Sequence, residues 1–376
     1  MLTTLIASFA VSLVLTLWVV RMARRRPQLF GDSDLSGPQK FHARVVPRVG
    51  GIGIAMGFMG AAAYVAWSQP AHASIVAGLL VSAVPVFAAG LWEDLTKRVR
   101  PRNRLLAAAA SAGIAAWLLG AVIERTAIPG VQWIAGFSAG ALLLTLFVVS
   151  GVVNAINIID GMNGLASMCC VIMLAGLAYV GDQAGDPLIV AAAVAAIGAI
   201  AGFFIWNYPN GLIFLGDGGA YLLGFLIAEV AILLIHRNPG VSPLCPLLMV
   251  AYPVMETLFT MYRRRVVRGR AMGLPDGIHL HSLVYRRLMR WAVGSTDAKA
   301  LTRRNSLTAP YLWVVCSLSV VPSLLWWNST PALAVCLLVF VVLYVSLYAS
   351  IVRFRTPRWM VFSNSRQPEL RERGGA

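Results

Sequence analysis

Residues 154 to 164 read NAINIIDGMNG and set Asn154, Asn157, Asp160 and Asn163 at strict three-residue intervals. Residues three apart are neighbours on a helix, so Asn154 and Asn157 project together from a last turn, with Asp160 at its mouth. Gly161 and Gly164 then let the chain turn. Two amides and a carboxylate held in this way can hydrogen-bond a ligand or orient the surroundings of a metal ion. The plainer alternatives are helix termination and interhelical hydrogen bonding. A plain end, however, needs one polar cap rather than four at fixed spacing.

Three further acids belong to the same chemistry. Glu93 and Asp94 lie in LWEDLTKRVRPRNR, and Asp217 lies in FLGDGG. Brought together with Asp160, they form a hard-oxygen set. Mg2+ is commonly held by one or two carboxylates with substrate phosphates completing its shell, so a metal–diphosphate site is predicted rather than a closed protein cage. Asp217 is the best single ligand candidate: its glycines allow close backbone approach, and the helix start that follows favours phosphate. The alternative for Asp217 is a simple N-cap. His279 and His281 alternate in HLH instead of standing four apart, which argues against a helical zinc pair. Beside RRRVVRGR and YRR they suit phosphate contacts.

What must position these residues is set by composition. The chain has 376 residues, is 59% hydrophobic and 12% charged, and has a mean hydropathy of +0.75. Its apolar stretches are continuous and long enough to cross about 30 Å of hydrocarbon as helices, which excludes an alternating barrel. An all-α, polytopic membrane protein is predicted, with eleven spans near 2–20, 50–67, 74–92, 105–122, 133–153, 165–181, 188–206, 219–236, 243–262, 309–328 and 331–351. If the first helix enters from outside, 29 of the 31 Lys and Arg residues fall in 21–49, 93–104, 263–308 and 352–376, leaving Arg125 and Arg237 on the other side. The positive-inside rule then puts the N-terminus in the periplasm and the C-terminus in the cytoplasm.

On that topology one catalytic domain covers 1–352, with cytoplasmic loops at 21–49, 93–104, 154–164, 207–218 and 263–308, and 353–376 is a short polar tail. All the polar clusters open to the cytoplasm. A transporter would place such groups nearer mid-membrane, where only Glu229 and Glu256 fall. For Glu256, beside the expected kink at Pro253, an interhelical bond is the favoured reading. The net charge of +16 belongs to orientation and anionic lipid headgroups, and no nucleic-acid module is present. Cys169, Cys170, Cys245, Cys316 and Cys336 all lie in predicted spans and read as packing residues, with no disulfide or zinc expected.

PRVGG (47–51), the acidic pair after the third helix, NxxNxxDGMNG, FLGDGG and HLH stand in an order that resembles the polyprenyl-phosphate N-acetylhexosamine-1-phosphate transferases. That family includes the phospho-N-acetylmuramoyl-pentapeptide transferase of peptidoglycan synthesis. The resemblance covers roughly residues 40 to 290. It implies transfer of sugar-1-phosphate from a UDP-N-acetylhexosamine to undecaprenyl phosphate, release of UMP, and a requirement for Mg2+, with Mn2+ as an alternative. Asp217 would bind the metal and Phe214 would stack on uracil. Asp94 would be the base or a metal-site residue, with Glu93 beside it. Arg48, Asn154, Asn157 and Asp160 would shape the site, while His279 and His281 would contact the diphosphate. A homodimer is implied by analogy. Three departures from the family pattern, Glu93 for Asp, Asn163 for the second acid of DGxDG and Ser282 for a third His, point away from peptidoglycan and towards a surface-polysaccharide initiator such as that of O-antigen. A transporter and a non-catalytic lipid-binding homologue remain the alternatives.

Overall fold

The computed structural model describes residues 1–25, 46–267, 278–289 and 298–353. Most of the expected tail, and the parts of the expected cytoplasmic loops at 26–45, 268–277 and 290–297, lie outside the described residues. The described chain is all-α. In order it forms α1 (Leu2–Arg25), α2 (Gly51–Ser68), α3 (Ala73–Thr96), α4 (Pro101–Leu119), α5 (Pro129–Ala135), α6 (Ser138–Ile159) and α7 (Leu165–Gln183). These are followed by α8 (Pro187–Asn207), α9 (Gly216–Arg237), α10 (Leu244–Met249), α11 (Ala251–Tyr262), α12 (Leu280–Leu283), α13 (Ala298–Leu325) and α14 (Thr330–Val352).

Nine helices among the described residues are long and apolar enough to cross a membrane. The two other expected spans are helical but of a different kind. α4 opens with Arg102, Asn103 and Arg104 and continues in alanines, so its apolarity is low. The stretch at 243–262 is broken at Val250 into α10 and α11. The break falls three residues before Pro253, at the kink expected of a proline that cannot donate to the Met249 carbonyl. That proline thereby sits in the first turn of α11, where its missing N–H leaves no bond of that helix unmade.

α9 is apolar on every side and is the core of the bundle, buried from Gly216 to Ile235. It packs chiefly against α3 and α6, with α2, α7, α8 and α4 completing the ring. Close approach at its N-terminal end depends on missing side chains. A Cβ on Gly90 of α3 would lie 2.6 Å from the Gly218 Cα, and one on Gly51 of α2 would lie 2.4 Å from the Gly219 nitrogen. α1 joins by a stripe of small polar residues, Thr4, Ser8, Ser12 and Thr16, one helical turn apart and all buried. Ser12 Oγ donates to the Ala199 carbonyl of α8 at 2.6 Å.

Candidate active site at the N-terminal end of the central helix

Two extended segments bring the first residues together. The Phe214 N–H donates to the Pro47 carbonyl at 2.9 Å, and the Gly50 and Gly51 N–H groups donate to the carbonyls of Phe214 and Leu215 at 3.0 Å each. PRVGG and IFLGDGG are thereby paired along their backbones, which delivers Arg48 to Asp217. The join needs glycine at 216: its φ is +76°, and a Cβ there would lie 2.0 Å from the Arg48 carbonyl oxygen.

At the start of α9 the cap is Asp94 rather than Asp217. Asp94 Oδ1 accepts the Asp217 N–H and Oδ2 accepts the Gly218 N–H, each at 2.8 Å. A carboxylate at a helix N-terminus is held by unpaired donors and by the dipole together. Relieved of capping, Asp217 turns its side chain to two arginines. Arg104 Nη1 stands 2.7 Å from Oδ2, and Arg48 Nη2 stands 3.6 Å from Oδ1. Arg104 is steadied by Tyr221 of α9, and the Asn157 amide donates to the Tyr221 hydroxyl at 3.4 Å. Glu93 has a supporting part: Oε2 accepts the Val99 N–H at 2.8 Å, which closes the turn into α4, and Oε1 lies 4.0 Å from Arg104.

Asp160 ends α6 and is half-buried, within the electrostatic reach of Arg48 and Asp217. Loss of solvation pushes its carboxyl up to about 7, with the Arg48 charge pulling down and the Asp217 charge pushing up. Among the described residues neither Asp160 nor the half-buried Asn154 has a side-chain hydrogen bond. Phe214, three residues before Asp217, is also half-buried.

Asn163 is placed differently. It is 1% exposed, its N–H donates to Asn305 Oδ1 at 2.8 Å, and its amide donates to the Pro209 carbonyl at 3.1 Å. That ties the DGMNG turn to α13 and to the NYPNG turn, a position that holds loops together. Asn207 completes the tie, accepting the Gly164 N–H at 2.6 Å and donating to the Ile213 carbonyl at 2.7 Å.

His279 and His281 stack with ring centroids 5.3 Å apart and planes 11° apart, and both are buried. His281 presses its Nε2 edge onto the Asp160 turn, where a Cβ on Gly161 would lie 2.5 Å from it. Gly161 therefore serves close approach of the imidazole. Glu256 is an interhelical bond, as expected, and its partners include His279 and Tyr344. Glu229 is fully buried, with no hydrogen-bond partner for either oxygen among the described residues.

The sequence reading missed Arg104, Tyr221, Asn207 and Asn305. Arg104 was legible only as one of five basic residues in 93–104, all accounted for by topology. Among the described residues no three His, Cys, Asp or Glu side chains could together hold a metal ion. The arrangement fits the other kind of site. Asp217 offers hard oxygens of the kind a divalent ion would use at a glycine-lined helix start, and Arg48 and Arg104 stand against them.

The model of glycosyl transferase family 4 matches residues 76–235. A probable undecaprenyl-phosphate N-acetylglucosaminyl 1-phosphate transferase of Bacillus subtilis is 27% identical over 314 residues, 82% of this chain and 81% of that protein. The undecaprenyl-phosphate alpha-N-acetylglucosaminyl 1-phosphate transferases of Thermotoga maritima and Escherichia coli K12 are 27% and 28% identical, over 69% and 70% of this chain and 74% and 72% of their own lengths. Residues 76–235 thus carry the pattern of glycosyl transferase family 4, and the chain is similar over most of its length to undecaprenyl-phosphate N-acetylglucosaminyl 1-phosphate transferases.

Proposed function

We propose that this protein transfers N-acetylhexosamine-1-phosphate, N-acetylglucosamine by default, from a UDP-sugar to undecaprenyl phosphate and releases UMP. The reading places it in a bacterial inner membrane with the N-terminal end of α9 facing the cytoplasm. The observation that carries it is Asp217 held between Arg104 and Arg48 while Asp94 caps the helix beneath it.

An oxygen of the lipid phosphate attacks the phosphorus that bears the sugar, and the bond from that phosphorus to UMP breaks. Both reactants are anions, so catalysis is mostly alignment and charge neutralisation. Arg48 and Arg104 would exchange Asp217 for the diphosphate oxygens, with Tyr221 and Glu93 keeping Arg104 in place. Mg2+, or Mn2+, would be held by Asp217 with Asp94 beside it and would neutralise the charge that builds on the phosphates. Of the three acids expected to be catalytic, Glu93 and Asp94 accept backbone N–H groups, whereas Asp160 keeps both oxygens for a ligand. With a carboxyl near neutrality, Asp160 suits the task of taking a proton from the lipid phosphate. Phe214 would face the uracil. Substitution at Glu93, Asn163 and Ser282 supports initiation of O-antigen or another surface polysaccharide over peptidoglycan synthesis.

The test is UMP release by purified protein given undecaprenyl phosphate, Mg2+ and a panel of UDP-sugars. Release that requires the lipid is expected and identifies the sugar. No release with any sugar from folded protein overturns the reading in favour of lipid binding without turnover.

A further inference from the structure

Glu256 lies in α11, away from the Asp217 cluster, and is 1% exposed. A buried carboxylate is expensive unless its oxygens are filled, and here they are filled by one loop and one helix. Oε1 is 3.1 Å from His279 Nδ1 and accepts the Leu280 N–H at 3.0 Å. Oε2 accepts the Tyr344 hydroxyl of α14 at 2.8 Å. Thr260, one turn further along α11, brings Oγ1 to 3.3 Å from the same Nδ1. Among the described residues every polar contact of the His279 ring is thus at Nδ1, which fixes the ring plane. His281 stacks on that plane and meets the Asp160 turn at Gly161. The chain of contact runs Tyr344, Glu256, His279, His281, Gly161, Asp160.

The break in the ninth expected span makes this possible. α10 ends at Met249 and α11 starts afresh at Ala251, so Glu256 is carried on its own short helix instead of on a continuous span. Arg263, next after α11, then ties the loop on the far side of His279: its guanidinium donates to the Ile278 carbonyl at 2.7 Å and also bonds the Tyr348 hydroxyl.

We propose that Glu256 is a positioning residue for the transfer reaction, holding the turn that carries Asp160 through the stacked pair His279 and His281. It touches neither substrate nor reacting atoms. The proposal rests on the function proposed above, because Asp160 matters only if the site turns over. By analogy with the hydrogen-bond partners that orient metal ligands, its removal is expected to change activity by about 10–100-fold.

The experiment is a double-mutant cycle on UMP release in detergent, with chain monodispersity and melting followed beside it. Glu256→Ala is expected to lower kcat by about 10–100-fold, with KM for undecaprenyl phosphate within about twofold. Glu256→Gln, which keeps an acceptor oxygen for Leu280 and His279, should recover most of the loss. In a His279→Ala background the effect of Glu256→Ala should vanish, because a residue that acts only through another has nothing left to act on. Equal fold-losses in both backgrounds would overturn the proposal. If Glu256→Ala does not fold, Tyr344→Phe, which removes only the bond to Oε2, takes its place in the cycle, with a smaller loss that must likewise vanish. 15N-histidine NMR gives a readout independent of turnover. The His279 signal, assigned through His279→Ala, should show a hydrogen-bonded Nδ1 that shifts in Glu256→Gln. An unshifted signal counts against the proposal even if wild-type protein releases no UMP, an outcome that would itself sink only the transfer reading.

Discussion

At its C-terminal end α9 closes with Arg237, whose Nε donates to Asp186 Oδ2 at 2.7 Å, while Asn238 donates to the same oxygen at 3.2 Å. Asp186 also caps α8, accepting the Leu188 N–H at 3.2 Å, and Arg125 satisfies the carbonyls of Ile235 and Pro239 at 2.6 and 3.0 Å. At the N-terminal end the same kinds of group are arranged with something left over. Asp94 satisfies the helix donors, so Asp217 does not have to; Asp217 meets two arginines instead of one, and the Asp160 side chain stands nearby with no hydrogen bond among the described residues. A charge cluster whose members all satisfy one another is a staple. One with surplus cations around one acid and a second acid unpaired is suited to a charged ligand.

Breaking the N-terminal cluster should therefore cost activity and little stability, and breaking the C-terminal one the reverse. Among the residues around Asp217, the largest effect is expected for Asp160→Asn. Removing the unpaired acid should lower kcat by about 100-fold or more at unchanged melting temperature, measured by UMP release and thermal unfolding. Arg104→Lys keeps the charge but loses the planar fork that meets Asp217 and Tyr221, and a loss of about tenfold in kcat/KM is expected. At the other end, Asp186→Ala should leave kcat within about twofold and destabilise by about 1–2 kcal/mol through the lost cap and the lost partner of Arg237.

A pH dependence sharpens the same contrast. Burial pushes the Asp186 carboxyl up, but hydrogen bonds from Arg237 and Asn238 and the Arg237 charge outweigh it, leaving the group below its ordinary value. A carboxyl held lower in the folded state than in the unfolded one stabilises the fold above the ordinary aspartate value of about 3.9 and loses that contribution as pH falls below it. Wild-type protein should lose stability into that acid range more steeply than Asp186→Ala, as followed by melting temperature against pH.

How much of this was legible before the structure follows from what kind of signal each residue leaves. Asp217, Asp160 and the His pair are polar residues at the ends of apolar runs, where composition alone makes them conspicuous. The broken ninth span looked continuous because Pro246, Val250 and Pro253 do not interrupt its apolarity, and hydropathy does not register where helical bonds stop. Arg104 was hidden by a sufficient explanation of a different sort, since the positive-inside rule accounts for a basic loop without asking which member turns inward. Asn163 was misleading in the opposite way: its three-residue spacing from Asp160 is real, but α6 has already ended, so helical neighbourhood no longer applies and the side chain turns to Pro209. The Glu256–His279 bond joins residues 23 apart in sequence, and no local pattern announces it.

The most direct test of the account is UMP release by Asp217→Asn beside wild-type protein, with undecaprenyl phosphate and the active UDP-sugar. The substitution keeps size and hydrogen bonding while removing the charge that two arginines share. A loss of about 100–1,000-fold, with an unchanged melting temperature, is the predicted result. Activity within a few-fold of wild type would contradict the assignment of the catalytic centre to the N-terminal end of α9.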